Sequence, residues 1–450
     1  MKKVILFLFL LFITFQSYSQ CWKMVSTNSS TTLAIKNDGT LWGWGNNFNG
    51  QLGDGTTINR SNPTHIGTDT DWKMVAAGQS FSLAIKNNGT LWAWGFNGHG
   101  ELGDGTLIDK VIPIQIGTAT DWKQVSATYW SSMAVKNNGT LWGWGMNNQY
   151  GQLGDGTMIN KSIPTQIGVS TDWLKVSGGA GHGMAIKNNH TLWAWGNNSY
   201  GQFGNGNNTT SLVPIQIGTA TDWNDVSVGD YHTVGLKTNG TIFSTGTNSD
   251  GRLGDGTTNP RNTFTQIGAD MNWQQINTGS FNNICLKNNG TLWACGNNFN
   301  GLLGDGTTND KLVLTQIGTA TNWKFASSCQ WHSVGLKVDD SLSVWGDNLG
   351  VTPTSYSLYP IGVSCTNLLI EEQESQSFSI YPNPTNSVLN VTFSNREAIQ
   401  MISIIDMTGK IVLQQIGDIT QINVQNLAKG IYVVSLVTND KVINQKFIKG

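Results

Sequence analysis

Five aspartates recur in one short motif, Leu-Gly-Asp-Gly-Thr, and carboxylates at regular intervals raise the question of calcium binding. Each stands alone between two glycines, whereas a calcium site takes about six to eight oxygen ligands. A lone aspartate beside glycine is typical of a tight turn, in which its carboxylate accepts hydrogen bonds from the nearby backbone. We therefore expect turn-capping residues rather than metal ligands at Asp54, Asp104, Asp155, Asp255 and Asp305.

Motifs of catalysis and cofactor binding are not found in the sequence. It contains no G-x-S-x-G, H-E-x-x-H or G-x-x-x-x-G-K pattern and no Cys-x-x-Cys pair. The segment Gly98–Gly103 fits G-x-G-x-x-G, but it lies in a predicted strand-connecting loop with no helix after it, which argues against a dinucleotide site. We predict no catalytic residue, no metal ion and no cofactor.

The composition narrows the class of protein. Charged residues make up 12% of the 450 residues, about half the usual share, whereas there are 54 glycines and 19 tryptophans. This profile favours many short strands and turns around an apolar core. The formal net charge of -2 gives no general attraction to a phosphate backbone, so nucleic acid is not an expected partner.

A unit of about 50 residues is repeated seven times, and periods of this length are typical of propellers and repeat arrays. One marker of this unit is the sequence Gly-Thr-Leu-Trp-Gly-Trp-Gly, which first occurs at residues 39–45 and is less well kept in the last three copies. An Ile-Gly pair closes every unit. A tryptophan marks the start of every unit, at positions 22, 72, 122, 173, 223, 273 and 323.

Each unit is predicted to contain four short strands. In the second unit the first strand follows Trp72, the next two cover residues 82–86 and 90–94, and the last ends at Ile116. Asn88-Gly89 between the second and third strands is the chemistry of a tight hairpin turn. Large rings alternate with small residues along the third strand, which lets adjacent sheets pack closely. Seven such units closed radially make an all-β fold, a seven-bladed β-propeller.

Three histidines, His182, His232 and His332, occupy the same position in three units. Equivalent positions in different blades of a propeller lie far apart, so these side chains are not expected to share a metal ion. A repeated structural hydrogen bond is the role that we expect for them.

The two ends of the predicted propeller differ in how much their loops vary. Loops that join strands one to two and three to four emerge at one end, which we call the loop face; the Asn-Gly turns and the links between units emerge at the other, the turn face. The turn face hardly changes between copies, whereas the loop face varies and is rich in aromatic rings. Such rings either bind a protein or sugar partner or plug the bases of the loops. The candidate binding residues are Phe48, Phe81, Trp130, Tyr150, Tyr200, Tyr231, Phe281, Phe299 and Trp331.

Residues 21–362 resemble the RCC1-type repeat family. The family's Asn-x-x-Gly-Gln-Leu-Gly loop appears at Asn47–Gly53, and its repeat histidine matches His182, His232 and His332. Other residues replace that histidine at Thr31, Phe81, Ser131 and Asn282. The resemblance implies a seven-bladed propeller that acts as a protein-interaction platform. The founding member's action on a nuclear GTPase is not expected here, because this chain has a secretion signal and no basic tail.

Residues 378–450 leave the repeat register and are predicted to form a small β-sandwich after a linker at 363–377. Their ordered motifs, among them Tyr381–Thr385 and the closing Lys446–Gly450, resemble the type A sorting domain of the type IX secretion system of Bacteroidetes. The resemblance implies that the secretion machinery is a partner and that the protein is secreted or displayed on the cell surface. It also implies removal of the domain, for which Glu371–Gln376 is the expected cleavage region.

The first 19 residues read as a signal peptide, since Lys2 and Lys3 precede a short apolar run and small residues precede position 20. No other run is long enough to span a membrane, so we predict no transmembrane segment in the mature protein. Cys21 and Cys365 bracket the repeats, and a disulfide between them would tie the ends of the ring. Unpaired buried thiols are the equal alternative.

These observations predict an exported propeller that binds a protein or glycan through its loop face and is not an enzyme. One alternative is a propeller lyase or glycan hydrolase, which would need an acid and a base in the central channel. Another is a structural component of a surface layer or matrix. The sequence does not identify the ligand, the oligomeric state or whether the protein is released.

Overall fold

Seven four-stranded antiparallel sheets follow one another along the first part of the chain, because each repeat carries the same hairpin chemistry. The computed structural model describes residues 22–347, 355–361, 378–393, 401–406, 410–417, 420–437 and 442–450. Contacts divide the chain into two units, Met1–Thr366 and Asn367–Gly450. The signal peptide, the linker 363–377 and the cysteines at 21 and 365 lie outside the described residues, so their roles stay predictions.

Every blade consists of four consecutive strands, paired in chain order. Blades one to three contain β1 (Trp22–Asn28), β2 (Thr31–Lys36), β3 (Leu41–Gly45), β4 (Arg60–Ile66); β5 (Trp72–Ala77), β6 (Phe81–Lys86), β7 (Leu91–Gly95), β8 (Lys110–Gln115); and β9 (Trp122–Ala127), β10 (Ser131–Lys136), β11 (Leu141–Gly145), β12 (Lys161–Gln166). Blades four and five contain β13 (Trp173–Gly178), β14 (His182–Lys187), β15 (Leu192–Gly196), β16 (Ser211–Gln216); and β17 (Trp223–Val228), β18 (His232–Lys237), β19 (Ile242–Gly246), β20 (Arg261–Gln266). Blades six and seven contain β21 (Trp273–Thr278), β22 (Asn282–Lys287), β23 (Leu292–Gly296), β24 (Lys311–Gln316); and β25 (Trp323–Ser328), β26 (His332–Lys337), β27 (Leu342–Gly346), β28 (Ser355–Ile361). A single 3-10 turn at Phe299–Gly301 interrupts the β structure of the described residues.

The second unit has two sheets, as a β-sandwich requires. One contains β29 (Phe378–Tyr381), β30 (Val388–Phe393) and β33 (Gln421–Asn423), and the other contains β31 (Met401–Asp406), β32 (Ile411–Ile416), β34 (Gly430–Val437) and β35 (Val442–Lys449). Alternate residues such as Leu389, Ile404 and Val434 are buried in one apolar core. The predicted fold class, an all-β propeller followed by a small sandwich, is confirmed.

The ring of blades closes through side chains rather than through a shared sheet. Because β25–β28 come from the last repeat alone, blade seven is complete without any strand from the N-terminus. The seam with blade one is made by Val25 and Trp44 packing with Val334 and Leu336. Hydrogen bonds of 2.7 Å also join His332 Nε2 to the hydroxyls of two threonines of blade one, Thr27 and Thr32.

Each of the three aligned histidines makes a buried hydrogen bond to the adjacent blade, which agrees with the structural role predicted for them. His182 Nε2 lies 2.9 Å from Thr233 Oγ1 of the next blade, and His232 Nε2 lies 2.8 Å from Asn283 Oδ1. All three imidazoles are fully buried. Burial lowers the pKa of His182 and of His232 to about 3 and that of His332 to about 4, so each is neutral at physiological pH.

Towards the turn face, a lysine caps the tryptophans of each blade. Lys86 Nζ lies 4.8 Å from the ring centroid of Trp72 and 4.4 Å from that of Trp92, whose rings meet edge to face at 5.7 Å. Asp71 pairs with the same ammonium at 3.1 Å. The same arrangement recurs in other blades, which explains why the turn face varies so little.

The buried histidines make the stability of the propeller depend on pH. Below the ordinary pKa of 6.5 the unfolded chain protonates His232, whereas the folded chain does so only near pH 3. Between these values the unfolded chain holds more protons, so the free energy of unfolding falls as pH falls, by about 1.4 kcal/mol per pH unit per histidine. We predict that His232→Asn, which copies Asn282 of blade six, flattens this slope by that amount between pH 6 and pH 4 in denaturant unfolding.

The exposed His65 provides the control, and His65→Asn is expected to leave the slope unchanged. Equal slopes for the His232→Asn variant and the native chain would contradict the prediction.

Candidate functional site

One buried asparagine holds the long three-to-four loop in each of blades one to six. In blade three, Asn147 Oδ1 accepts a 2.9 Å hydrogen bond from the backbone of Leu153, and Asn147 Nδ2 donates to the carbonyl of Thr157 and to a carboxylate oxygen of Asp155. Five polar contacts to this single side chain fix the loop without a regular element. Equivalent residues are Asn47, Asn97, Asn198, Asn248 and Asn298.

The five motif aspartates cap turns, as predicted. Asp155 Oδ1 accepts hydrogen bonds from the backbone and the hydroxyl of Thr157, at 2.9 and 2.8 Å, and the carboxylate pairs with Lys161. Burial alone would raise the pKa of Asp155, but these hydrogen bonds outweigh it and hold the pKa below its ordinary value. Within the described residues, no cluster of three or more His, Cys, Asp or Glu side chains is arranged to hold a metal ion.

The candidate aromatic residues differ widely in exposure. Trp130, Tyr150, Phe281 and Trp331 are half-buried. The exposed fractions are 70% for Phe48, 63% for Phe299, 50% for Tyr200 and 37% for Tyr231.

Phe81 does not reach the surface, so the expectation that it contributes an exposed ring is wrong. Only 1% of it is exposed, and it packs in the core between blades two and three. The reason is its register: Phe81 pairs with Gly95 as His182 pairs with Gly196, so it begins the second strand and points inward. The residue equivalent to Trp130 in blade two is Ser80, and aligning the copies at the strand-three glycine reveals this from the sequence.

The exposed and half-buried rings meet at the seams between blades. Tyr200 of blade four and Tyr231 of blade five lie edge to face with centroids 5.2 Å apart. At the seam between blades two and three, Trp130 packs with its ring centroid 5.7 Å from those of both Phe96 and His99. Among the candidates, the structure therefore brings Tyr200 and Tyr231 together as a ring pair, which joins the three-to-four loop of blade four to the one-to-two loop of blade five.

The cluster at Trp130 contains a buried carboxylate. Glu101 is fully buried, and its Oε1 lies 2.8 Å from His99 Nδ1. Burial raises the pKa of Glu101 despite the hydrogen bonds from His99. The segment Gly98–Gly103, which resembles a dinucleotide motif in sequence, lies in this loop between β7 and β8 and leads into no helix.

A polar cluster at the mouth of the central channel was not singled out by the sequence. Tyr129 of blade three places its hydroxyl 3.1 Å from Asp230 Oδ2 of blade five and 3.5 Å from Ser280 Oγ of blade six. Burial raises the pKa of Asp230 to about 6, although hydrogen bonds from Tyr129 and Ser280 act in the opposite direction. The sequence does contain a signal, because the position before Trp130 holds residues of different chemistry in the seven copies. It holds Ser29, Gln79, Tyr129, Ala180, Asp230, Ser280 and Gln330.

Loss of a loop-fixing asparagine should destabilise the fold. We predict that Asn147→Ala lowers the free energy of unfolding by about 3 kcal/mol, because it leaves the buried Leu153 amide and two loop carbonyls without a partner. The neighbouring exposed Asn148 provides the control, and Asn148→Ala should change the value by less than about 0.5 kcal/mol in the same denaturant titration.

The hydrogen bond between Tyr129 and Asp230 leads to a prediction about the pKa of the aspartate. The Tyr129 hydroxyl donates to the ionised Asp230 carboxylate, so Tyr129→Phe should raise the pKa of Asp230 further. Titration of the aspartate carboxyl carbons by NMR measures the change. Tyr231→Phe, which removes a neighbouring hydroxyl, is the control, and an unchanged pKa in Tyr129→Phe would show that the hydrogen bond is absent in solution.

Comparisons with known proteins match both units of the chain. The family model described as RCC1-like domain matches residues 13–274, and that of the Regulator of chromosome condensation (RCC1) repeat matches residues 273–302. The model described as Secretion system C-terminal sorting domain matches residues 379–450. Among curated proteins, none matches this chain in sequence. Within the described residues, no helix is long and apolar enough for a membrane span.

Solved propellers with the same fold include yeast RCC1 (Prp20) bound to Kap60, which is 20% identical with a TM-score of 0.63 over 71% of this chain and 81% of that chain. Prp20p from Saccharomyces cerevisiae, described together with its binding properties to Gsp1p and histones, is 18% identical with a TM-score of 0.64 over 78% and 89%. Human WBSCR16 is 20% identical with a TM-score of 0.62 over 69% and 84%. At these identities the likeness shows the fold alone. Because the RCC1-like model covers more than half of the sequence, the chain belongs to the RCC1-like domain family, and its C-terminal sorting domain marks it as an exported member.

Proposed function

We propose that this exported propeller binds a protein or glycan partner through its loop face and is not an enzyme. The observation that carries the proposal is the exposed pair of Tyr200 and Tyr231, whose rings meet at a seam between blades. Exposed rings held on a rigid frame lose little conformational entropy on binding and supply a large contact area.

The polarity of the surrounding loop supports the same conclusion. The three-to-four loop of blade four, residues 197–210, has no charged residue and is rich in asparagine, serine and threonine. Amide and hydroxyl groups beside exposed rings suit both sugar hydroxyls and a peptide backbone. The buried Asn198 fixes this loop through hydrogen bonds to the carbonyls of Asn207 and Thr209, so its geometry is set before a partner arrives.

The relatives offer a precedent for the class of function. The structure of Prp20p is described with its binding of Gsp1p and histones, so at least one propeller of this fold serves as a platform for other proteins. For the present chain the partner must be found outside the cytoplasm, since the sorting domain directs it to export. We propose the type IX machinery as the partner of residues 378–450 and the cell surface or medium as the destination.

An enzyme would need two free carboxylates close together in the channel. Asp225 on β17 is ion-paired with Lys175 at 3.2 Å, and Asp230 is held by Tyr129 and Ser280. No observation among the described residues favours a paired acid and base there.

A binding screen tests the proposal. The full chain is applied to a glycan array and to a panel of host and bacterial surface proteins, beside the variant Tyr200→Ser/Tyr231→Ser. We expect a ligand whose signal falls at least tenfold in this variant, as loss of two hot-spot rings of about 1.4 kcal/mol or more in total requires.

The control replaces two exposed apolar residues of the turn face, Val169→Ser/Met271→Ser, and should bind as the native chain does. A folded native chain that binds nothing in the screen, or a ligand lost equally in both variants, would contradict the loop-face proposal.

A further inference from the structure

The central channel of the propeller contains a cavity of about 220 Å³. Its wall is made by the inner strands of all seven blades and by the ends of their one-to-two loops. A water molecule occupies about 30 Å³ of liquid, so the space exceeds the needs of one ordered water or a bare ion and matches a small organic group.

The wall of this cavity carries one charged side chain at neutral pH. Among the residues that line it, Asp230 is the only aspartate, glutamate, lysine, arginine or histidine. Serines, threonines, glycines and apolar residues make up most of the rest. Only 7% of Asp230 is exposed. It lies at the loop-face end of the cavity, where the carboxylate meets the hydroxyls of Tyr129 and Ser280.

Asp230 has no cation to balance it. Among the described residues, no lysine, arginine or histidine lies within ion-pair distance of its carboxylate. The nearest influence is Arg252, whose guanidinium already pairs with Asp250 and lies 4.8 Å from the ring centroid of Phe281. A buried carboxylate without a counter-ion is costly, and a cation that entered the cavity would remove that cost.

Three large apolar side chains stand among the serines and threonines of the cavity wall. Met24, Met74 and Phe325 belong to the inner strands β1, β5 and β25 and line the same space. The cavity thus combines a carboxylate with two hydroxyls at the mouth and flexible thioethers and a ring on its wall. That combination suits a positive head group carried on a short apolar chain.

We propose that the channel mouth binds a primary alkylammonium group, with the ammonium against Asp230 and the alkyl chain directed towards Met24, Met74 and Phe325. A free alkylamine and a lysine side chain present the same chemistry. A bare divalent cation fits less well, because it would seek about six to eight oxygens around more than one carboxylate. This site is distinct from the aromatic pair proposed for the partner, since neither Tyr200 nor Tyr231 lines the cavity.

The groups around Asp230 determine how binding responds to pH. Tyr129 and Ser280 face the carboxylate as neutral hydroxyls, Tyr231 follows it in the chain, Arg252 acts from the neighbouring loop, and His232 is neutral in this range. The carboxylate, whose pKa is about 6, is therefore ionised at pH 7.5 and largely protonated at pH 5. Affinity for an ammonium should fall about tenfold between these values.

Calorimetric titration of the full chain with n-pentylamine and with Nα-acetyl-lysine amide at pH 7.5 tests the proposal. We expect saturable binding of at least one amine, binding at least tenfold weaker for the isosteric neutral n-pentanol, and the tenfold loss at pH 5. Asp230→Asn should weaken amine binding at least tenfold, whereas Asp225→Asn, in which the altered carboxylate is ion-paired with Lys175, should not.

Several outcomes would overturn the proposal. They are no binding of either amine, equal affinity for pentanol, unchanged affinity in Asp230→Asn, or tighter binding of calcium chloride than of the amines. Melting temperatures of the variants show whether each is folded. If Asp230→Asn does not fold, the pentanol comparison and the pH profile of the native chain decide the question alone.

Discussion

One backbone carbonyl in the three-to-four loop of each of blades one to six holds that blade to the next. The Nε1 group of Trp94 donates to the carbonyl of Gln51 at 2.8 Å, and the hydroxyl of Ser82 donates to the same oxygen at 2.7 Å. Trp144 and Ser132 bind the carbonyl of Glu101 in the same way. Because the donors belong to one blade and the acceptor to the loop of the blade before it, the loop conformation and the packing of sheets are a single constraint.

This constraint explains why the loops vary at some positions and not at others. Two blades lack the donor tryptophan, and in both of them the carbonyl still accepts a hydrogen bond from the residue at the Ser82 position. In blade five, Thr233 Oγ1 donates to the carbonyl of Gln202 at 2.8 Å, and in blade six Asn283 Nδ2 donates to the carbonyl of Arg252. The backbone carbonyl must accept a hydrogen bond, whereas the side chain of the same residue is free to differ. The residues Gln51, Glu101 and Arg252 at this position accordingly differ in charge while their backbones do the same work.

The fold could be predicted from the sequence because it repeats, and repetition makes register visible. The correct turns and strands were predicted from the Asn-Gly pairs, the marker tryptophans and the motif aspartates. The candidate site was harder, because one residue of register separates an exposed ring from a buried one, as Phe81 and Ser80 show. The contact between Tyr129 and Asp230 joins residues 101 positions apart across the channel, and no local pattern contains it.

The contiguous blade at the seam has an architectural consequence. The seam between blades seven and one needs no special closing element. It contains a buried imidazole that contacts a hydroxyl, as does the seam between blades four and five, and tryptophan rings that pack against aliphatic side chains. Each repeat is therefore an interchangeable wedge. The number of wedges in the circle depends on the angle between neighbouring sheets, to which the large and small residues that alternate on strand three contribute. Duplication or loss of a whole repeat would leave every sheet intact and change only whether the circle can close.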